Sequence, residues 1–375
     1  MQHKHIVIIG GGPIGLVTAL NLAKNGHDVV VLDANFLSSN EGRVLALSYA
    51  SYYYLNKLGV WPHDLATPIN QVHISHNGLG TSNILASDIN LDHLGYTVKY
   101  TDMCNALMNK LNDYPQIQLI KSKVNQIIAG KNFATINYVE QDESIYLTTN
   151  LAIVAEGGKL NISGIDYTSF DYGQTAIVTQ LKTQKSHQDI AFERFDVRGA
   201  MVLLPYRNNY VFIWTLASTD ARAIVENNIL LEELAKIPFM KRLGKYSIID
   251  KIHSFALNLQ VAKTRVVDRV VVLGNSAQIL HPVSAQGMNL GLRDAQALNE
   301  IVDNSWDPND LDKLALYNDL RVADAGYTTK FTHYLARFVE EQSPLVKHLR
   351  GIGIIGLSNC KSLQNRITNS LIFGI

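Results

Sequence analysis

Cysteine is almost missing from this chain: its 375 residues hold two, Cys104 and Cys360, far apart and outside any C-x-x-C or metal-ligand spacing. That excludes a disulfide scaffold and a thiolate metal centre, and it reads as unpaired thiols in a reducing compartment. No other residues form a metal-ligating pattern. An excess of either charge is also missing, since 33 Lys and Arg balance 33 Asp and Glu. The basic residues are scattered, so the patch that nucleic-acid binding needs is absent and nucleic acid is excluded as a partner. No uninterrupted apolar stretch reaches the ~20 residues needed to span a bilayer. The run from Ile6 to Leu20 imitates a secretion-signal core, but it carries glycines in a fixed pattern and no small-residue cleavage site follows it. The expectation is a cytoplasmic protein that meets a membrane only at its surface, peripheral to the inner face.

What is present is length enough for two closely packed domains. Residues 5–9 read as a buried strand, Pro13 to Lys24 as a helix and Asp28 to Leu32 as a second strand, a β-α-β opening. Helical spacing returns over Tyr100 to Leu111. Strand-like runs follow at 117–120, 134–139, 144–147 and 151–155, then at 199–205 and 210–216. Val266 to Leu273 reads as one more buried parallel strand, and from about Gly287 onward the pattern is helical. No repeat, low-complexity tract or linker breaks the chain. The fold class is therefore α/β: a Rossmann-type nucleotide domain (1–70, 100–170 and 265–305) interleaved with a mixed-sheet substrate domain (71–99 and 171–264), followed by a helical C-terminal region (306–375).

Gly10, Gly12 and Gly15 satisfy G-x-G-x-x-G between the first strand and the first helix. The first glycine permits the turn, the second admits a pyrophosphate to the backbone and the third lets helix and strand pack closely. The helix N-terminus supplies unpaired N–H groups to that anion. Asp33 ends the second strand where a carboxylate accepts hydrogen bonds from a ribose hydroxyl, and it disfavours a phosphorylated ribose. An adenine dinucleotide, FAD or NAD, is implied.

A second constellation runs from Gly274-Asn275 through His281-Pro282 to Gln286-Gly287-Met288-Asn289 and on to Arg293-Asp294. A strand ends at a glycine, a proline-bounded loop follows and a glycine starts a helix. Backbone N–H groups near Gly287 and Met288 would stabilise negative charge on an electron-rich ring. With the glycine loop, Arg43-x-x-Ala46-Leu47-Ser48, Val72-His73-Ile74-Ser75, Ala155-Glu156-Gly157, Phe195, Gly199, Leu204-Pro205 and Tyr317-x-x-x-Arg321-x-x-Asp324, this segment resembles the FAD-dependent aromatic-ring hydroxylases. Within them it is most similar to the ubiquinone-biosynthesis branch and its 2-polyprenyl-6-methoxyphenol hydroxylases.

The resemblance implies that Gly10, Gly12, Gly15 and Asp33 hold the ADP half of FAD, and that Arg43 lies near the pyrophosphate or flavin edge. It places Asn275 on the ribitol chain, Asn105 on a polar FAD contact and Pro282, Gly287, Met288 and Asn289 along the isoalloxazine. The family commonly has Asp where this chain has Glu156, before Gly157, and again where it has Asn275, after Gly274; both changes would re-tune FAD binding rather than abolish it. Asn at the second position is shared with members that hydroxylate ring carbon 1.

The implied reaction is hydroxylation of a polyprenylated phenol, with NAD(P)H as co-substrate and O₂ consumed through a flavin C4a-hydroperoxide. The protein's part is to assist phenol ionisation and exclude water. His281 and Arg43 are the catalytic candidates, although a histidine before proline also suits loop packing. Tyr52, Tyr53, Tyr54 and Trp61 suggest a substrate wall, but three consecutive tyrosines on a helix cannot share one face. Phe331, Tyr334, Leu335 and Phe338 follow helical spacing and read as packing, and Gly351 to Leu357 as a segment docked on the body or touching a membrane or partner protein. A prenyl reductase and a non-catalytic subunit of a ubiquinone-biosynthesis complex are the competing readings. No W-x-W-x-I-P motif of a flavin halogenase is present.

Overall fold

The computed structural model describes residues 2–36, 42–76, 80–140, 143–158, 160–196, 198–308, 310–341 and 343–374. Its first layer grows from the apolar run Ile6–Ile9, which has no polar face and must be covered on both sides. Gln2–Ile9 lies parallel between Val29–Asp33 and Glu143–Val154, with Ile117–Lys121 beyond the former and Val270–Val272 beyond the latter. The helix Pro13–Lys24 packs on this sheet and is buried along nearly its whole length, because the helices Tyr100–Leu111 and Gln286–Ile301 also lie against it.

The expected single strand from Val266 to Leu273 is instead a tight hairpin. Val266–Val267 pairs antiparallel with Val270–Val272, and only the latter joins the parallel sheet. Asp268, at φ +48°, makes the turn that the apolar pattern concealed.

The second layer is a largely antiparallel sheet built around Tyr167–Thr183, which pairs with Asn209–Ala217 on one side and His253–Ala262 on the other. Gly199–Tyr206 and Ile190–Asp196 continue it, and Gln71–His76 adds in parallel. Val44–Ser48, Thr67–Ile69 and Gly95–Lys99 form a small third sheet between the layers. The helices Leu311–Glu340, Pro344–Asn359 and Lys361–Phe373 then close over the second layer. Among the described residues, no helix is long and apolar enough to cross a membrane.

Candidate active site

The glycine loop has the geometry its spacing predicts. Gly10 stands at φ +112°, and a Cβ there would strike the Ala155 carbonyl; a Cβ on Gly15 would run into the Gly10 carbonyl. Both positions hold backbone against backbone, as the turn and the helix packing require. Gly12 caps the helix Pro13–Lys24, and its missing side chain leaves the lip of the loop open except for the Tyr100 hydroxyl, 3.0 Å from where a Cβ would sit. Asp33 accepts from the N–H of Gly11 at 2.6 Å and of Asn35 at 2.7 Å, so its carboxylate is aimed at the loop with further lone pairs to spare. The Arg43 guanidinium lies over the Tyr100 ring, 4.6 Å from its centre, which sets a cation beside the same lip. Asn105 is exposed on the helix that Tyr100 starts.

The second constellation is drawn onto the first by close packing at Ile14. A Cβ on Gly291 would come within 2.9 Å of the Ile14 side chain and 3.2 Å of the Gly274 Cα, so the helix Gln286–Ile301 reaches the glycine loop only through glycine. Gly158 packs against the Asn275 carbonyl. Glu156 accepts from the N–H of Gly158 at 2.9 Å and of Leu160 at 3.2 Å, and from the Ser276 hydroxyl at 3.3 Å, tying its own loop to the second segment. Gly157, at φ +95°, and Gly287 both face open space, and Asn275 is exposed beside them. The two glycine segments, 259 residues apart from Gly15 to Gly274, thus form one cradle with the loop at Glu156–Gly158. Those features fit FAD, with Gly10, Gly12 and Asp33 toward its ADP end and Gly287 and Met288, in the first turn of their helix, offering free N–H groups at the other.

Asn289 does more than line this cradle. Its Oδ1 accepts from the Ser48 N–H at 2.9 Å and the Ser51 hydroxyl at 2.7 Å, and its Nδ2 donates to the Ala285 carbonyl at 2.8 Å. It clamps the Val44–Ser48 strand to the start of the second helix.

His281 is only 3 % exposed. Its Nε2 pairs with Gln174 Oε1 at 3.0 Å, and its Nδ1 accepts from the Val283 N–H at 3.2 Å. Burial drives its pKa down to about 4, so it is neutral near pH 7 with both nitrogens engaged. In this geometry His281 fixes the turn Pro282–Ser284 and has no nitrogen left to take a phenol proton.

Beside that turn opens a cavity of about 420 Å³, walled by Ile74, Val202 and Leu204 from the large sheet, by Pro282 to Gln286, and by the C-terminal helices. Phe331, Leu335 and Phe338, read from the sequence as packing, line it, as do Gly353, Ile354 and Leu357. The helical spacing was right, but the face they form covers a void rather than a core. Tyr334 is 66 % exposed. The tyrosine set is no substrate wall: Tyr52 packs on Trp61 and Tyr96, Tyr53 points to solvent and Tyr54 bonds Asn21.

Two groups have roles that the sequence only partly or never revealed. Asp294, which with Arg293 could orient the loop or cap a helix start, lies mid-helix and is wholly buried between Arg265 and Arg321. Glu193 lies in the cavity wall, and the alternation in Phe192-Glu193-Arg194-Phe195 was its signal: an acid beside Phe195 on the face toward the core.

A pyrophosphate loop joined to a flavin-ring cradle and an apolar substrate cavity defines a FAD-dependent hydroxylase of the aromatic-ring class. The chain belongs to the FAD binding domain family, whose model matches residues 3–304. It is 27% identical to the ubiquinone hydroxylase UbiL of Rhodospirillum rubrum, covering 93% of this chain and 85% of that one. It is 27% identical to the 3-demethoxyubiquinol 3-hydroxylase of Escherichia coli, over 81% of each chain. Among solved structures, p-nitrophenol 4-monooxygenase PnpA of Pseudomonas putida superposes with a TM-score of 0.82 at 17% identity, covering 100% of this chain and 99% of that one. The flavin-dependent brominase Bmp2 superposes with a TM-score of 0.78 at 14% identity, covering 99% and 93%. The shared fold therefore spans hydroxylation and halogenation alike, and the site must separate them.

Gly12→Val tests the cradle with little risk to the fold, since only the Tyr100 hydroxyl must move. The variant is expected to unfold near the wild-type midpoint and to purify with about tenfold less FAD per chain or lower, read from the flavin absorbance.

Proposed function

We propose that this chain hydroxylates the aromatic ring of a polyprenylated phenol on the route to ubiquinone, with NAD(P)H as reductant and O₂ as oxidant. The observation that carries the reading is the cavity beside Pro282–Gln286, whose walls are mostly Ile, Leu, Val and Phe. An isoprenoid tail gains roughly 25 cal/mol for each Å² it buries there. The ubiquinone hydroxylases among its relatives support the same substrate class. When bound, FAD supplies the redox chemistry and the activation of O₂. The chain's residues do the rest: the cradle orients the flavin, Asn289 and His281 fix the strand and turn that border the cavity, and the apolar wall excludes water from the reacting ring.

Purified, FAD-loaded protein given NAD(P)H and a prenylphenol is expected to consume O₂ in proportion to substrate and to yield a product heavier by one oxygen atom. A deletion strain should accumulate the unhydroxylated precursor. Absence of product, with ubiquinone still made by that strain, would end the proposal; product formed without O₂ uptake would favour a reductase.

The helix Pro344–Asn359 presents Gly353, Ile354 and Leu357 to the cavity while Leu349, Ile352 and Ile355 are 48 %, 64 % and 46 % exposed. We read that outer face as a peripheral membrane contact through which an isoprenoid substrate enters. Ile352→Asp/Ile355→Asp should abolish sedimentation with phospholipid vesicles and leave turnover of a short-chain phenol unchanged.

A further inference from the structure

Among the described residues, the cavity wall holds one carboxyl group. Glu193 sits on the strand Ile190–Asp196, in register with Val202 on one neighbour and Ile74 on the other, both of them cavity-lining. Its Oε1 is sealed from solvent and has no hydrogen-bond partner among the described residues. Among the other polar groups of the wall, Ser284 pairs with Thr332 at 3.0 Å, Asn289 is saturated and Gln286 Nε2 donates to the Leu371 carbonyl at 3.1 Å, while Gln286 Oε1 and Thr368 Oγ1 are, like Glu193 Oε1, sealed without a partner among the described residues; Glu193 is the wall's one carboxyl. Arg350, the other ionisable group of the wall, donates through Nη2 to the Phe338 and Glu341 carbonyls, each at 2.7 Å, while its Nε and Nη1 are sealed without a partner among the described residues.

A carboxyl oxygen sealed between Ile and Val loses the hydrogen bonds that water gave it, and none of the described residues restores them to Oε1. Such a group calls for a partner that the surrounding side chains do not supply, and an open cavity is where a ligand can supply it. A carboxyl offers both a donor and an acceptor once protonated, which matches a hydroxyl on an aromatic ring, and burial favours that protonated form.

We propose that Glu193 recognises the ring hydroxyl of the substrate, giving the mostly apolar cavity a carboxyl contact that fixes how the aromatic head lies. The inference rests on the phenol reading above and names the residue that makes the phenol, rather than the tail alone, the object of recognition.

The test compares 4-nonylphenol with nonylbenzene, which differ only in the hydroxyl, by titration calorimetry on the FAD-loaded chain. Wild-type protein is expected to prefer the phenol by about tenfold. Glu193→Leu should bind nonylbenzene at least as tightly as wild type and lose that preference, while Glu193→Gln, which keeps a donor and an acceptor, should retain most of it. A Glu193→Leu protein that still prefers the phenol tenfold overturns the assignment, as does a wild type with no preference. Wild type binding neither probe overturns both the assignment and the substrate reading. Phenol preference in a wild type that forms no hydroxylated product would remove the proposed reaction and leave the role of Glu193 standing.

Discussion

Asp294→Ala is expected to lower the unfolding free energy by about 3–5 kcal/mol, the usual loss when one partner of a buried ion pair is removed, and to strip the purified protein of most of its FAD. The carboxylate is 0 % exposed and answers four donors. Its Oδ1 takes Arg265 Nη1 at 3.1 Å and Arg321 Nε at 2.7 Å; its Oδ2 takes the Gly274 N–H at 3.0 Å and Gln278 Nε2 at 2.9 Å. Burial alone would push its pKa up, but the two guanidiniums and these hydrogen bonds overcome that and hold it below the ordinary range. Deleting it leaves Arg265, 2 % exposed, as a buried cation without its carboxylate and Arg321, 5 % exposed, paired with Asp324 alone.

The link to the flavin is Gly274, whose N–H is one of the four donors and whose Cα packs on the glycine-loop helix through Ile14 and Gly291. Asp294→Asn keeps the shape but turns an amide N–H toward groups that are all donors, so it should fall between wild type and Ala. Chemical denaturation followed by fluorescence measures the first effect, and flavin per chain the second. Because the native pKa is depressed, this contribution is present above the unfolded Asp value and is lost as pH falls from there through the native one.

Why Asp294 was only half legible in the sequence follows from what local pattern encodes. The glycine loop could be read because its task is local: Gly10, Gly12, Gly15 and Asp33 act within one β-α-β unit whose strand and helix periods are visible. The helix after Ala285 could be read for the same reason, and begins at Gln286, one residue before the expected Gly287. Arg265, Asp294 and Arg321 meet only after a hairpin, a loop and two helices have folded, and no periodicity announces that three charged residues will share one buried point. The strand His253–Ala262 was missed on different grounds. Leu257, Leu259 and Val261 do alternate with Asn258 and Gln260, but the first four residues are exposed, so the alternation covers only half of the strand and its full pairing with Tyr167–Thr183 is set by the partner strand. The cavity was hidden by the ambiguity of apolar faces. Phe331, Leu335 and Phe338 have the spacing of a packed helix whether they cover side chains or a void.

Glu193 produces the opposite pH dependence, and Glu193→Leu is the variant that exposes it. Burial raises this carboxyl from 4.5 to about 8, with no charged partner opposing the shift. Below pH 4.5 folded and unfolded chains both carry the proton, and the contribution is fully present. Between 4.5 and 8 the folded chain keeps a proton that the unfolded chain releases, so stability declines by up to about 1.4 kcal/mol for each pH unit, roughly 5 kcal/mol over the window as an upper bound. Above 8 the loss is complete. Replacing the side chain with Leu removes the titration and puts an apolar group among Ile74, Val202 and Phe195. The variant should match wild type within about 1 kcal/mol at pH 5 and exceed it by about 3 kcal/mol at pH 8, measured by denaturation at both values. Equal pH slopes in the two proteins would show that Glu193 is solvated in the native state. Together the two acids bound the stable range from both sides, Asp294 failing in acid and Glu193 weakening the fold toward alkaline pH. The difference between them is one of use: Asp294 is matched by arginines and holds the cradle together, whereas Glu193 is left unmatched in the wall and lowers stability until a ligand completes it. A cavity lined with leucine at that position would be the more stable protein and the less selective one.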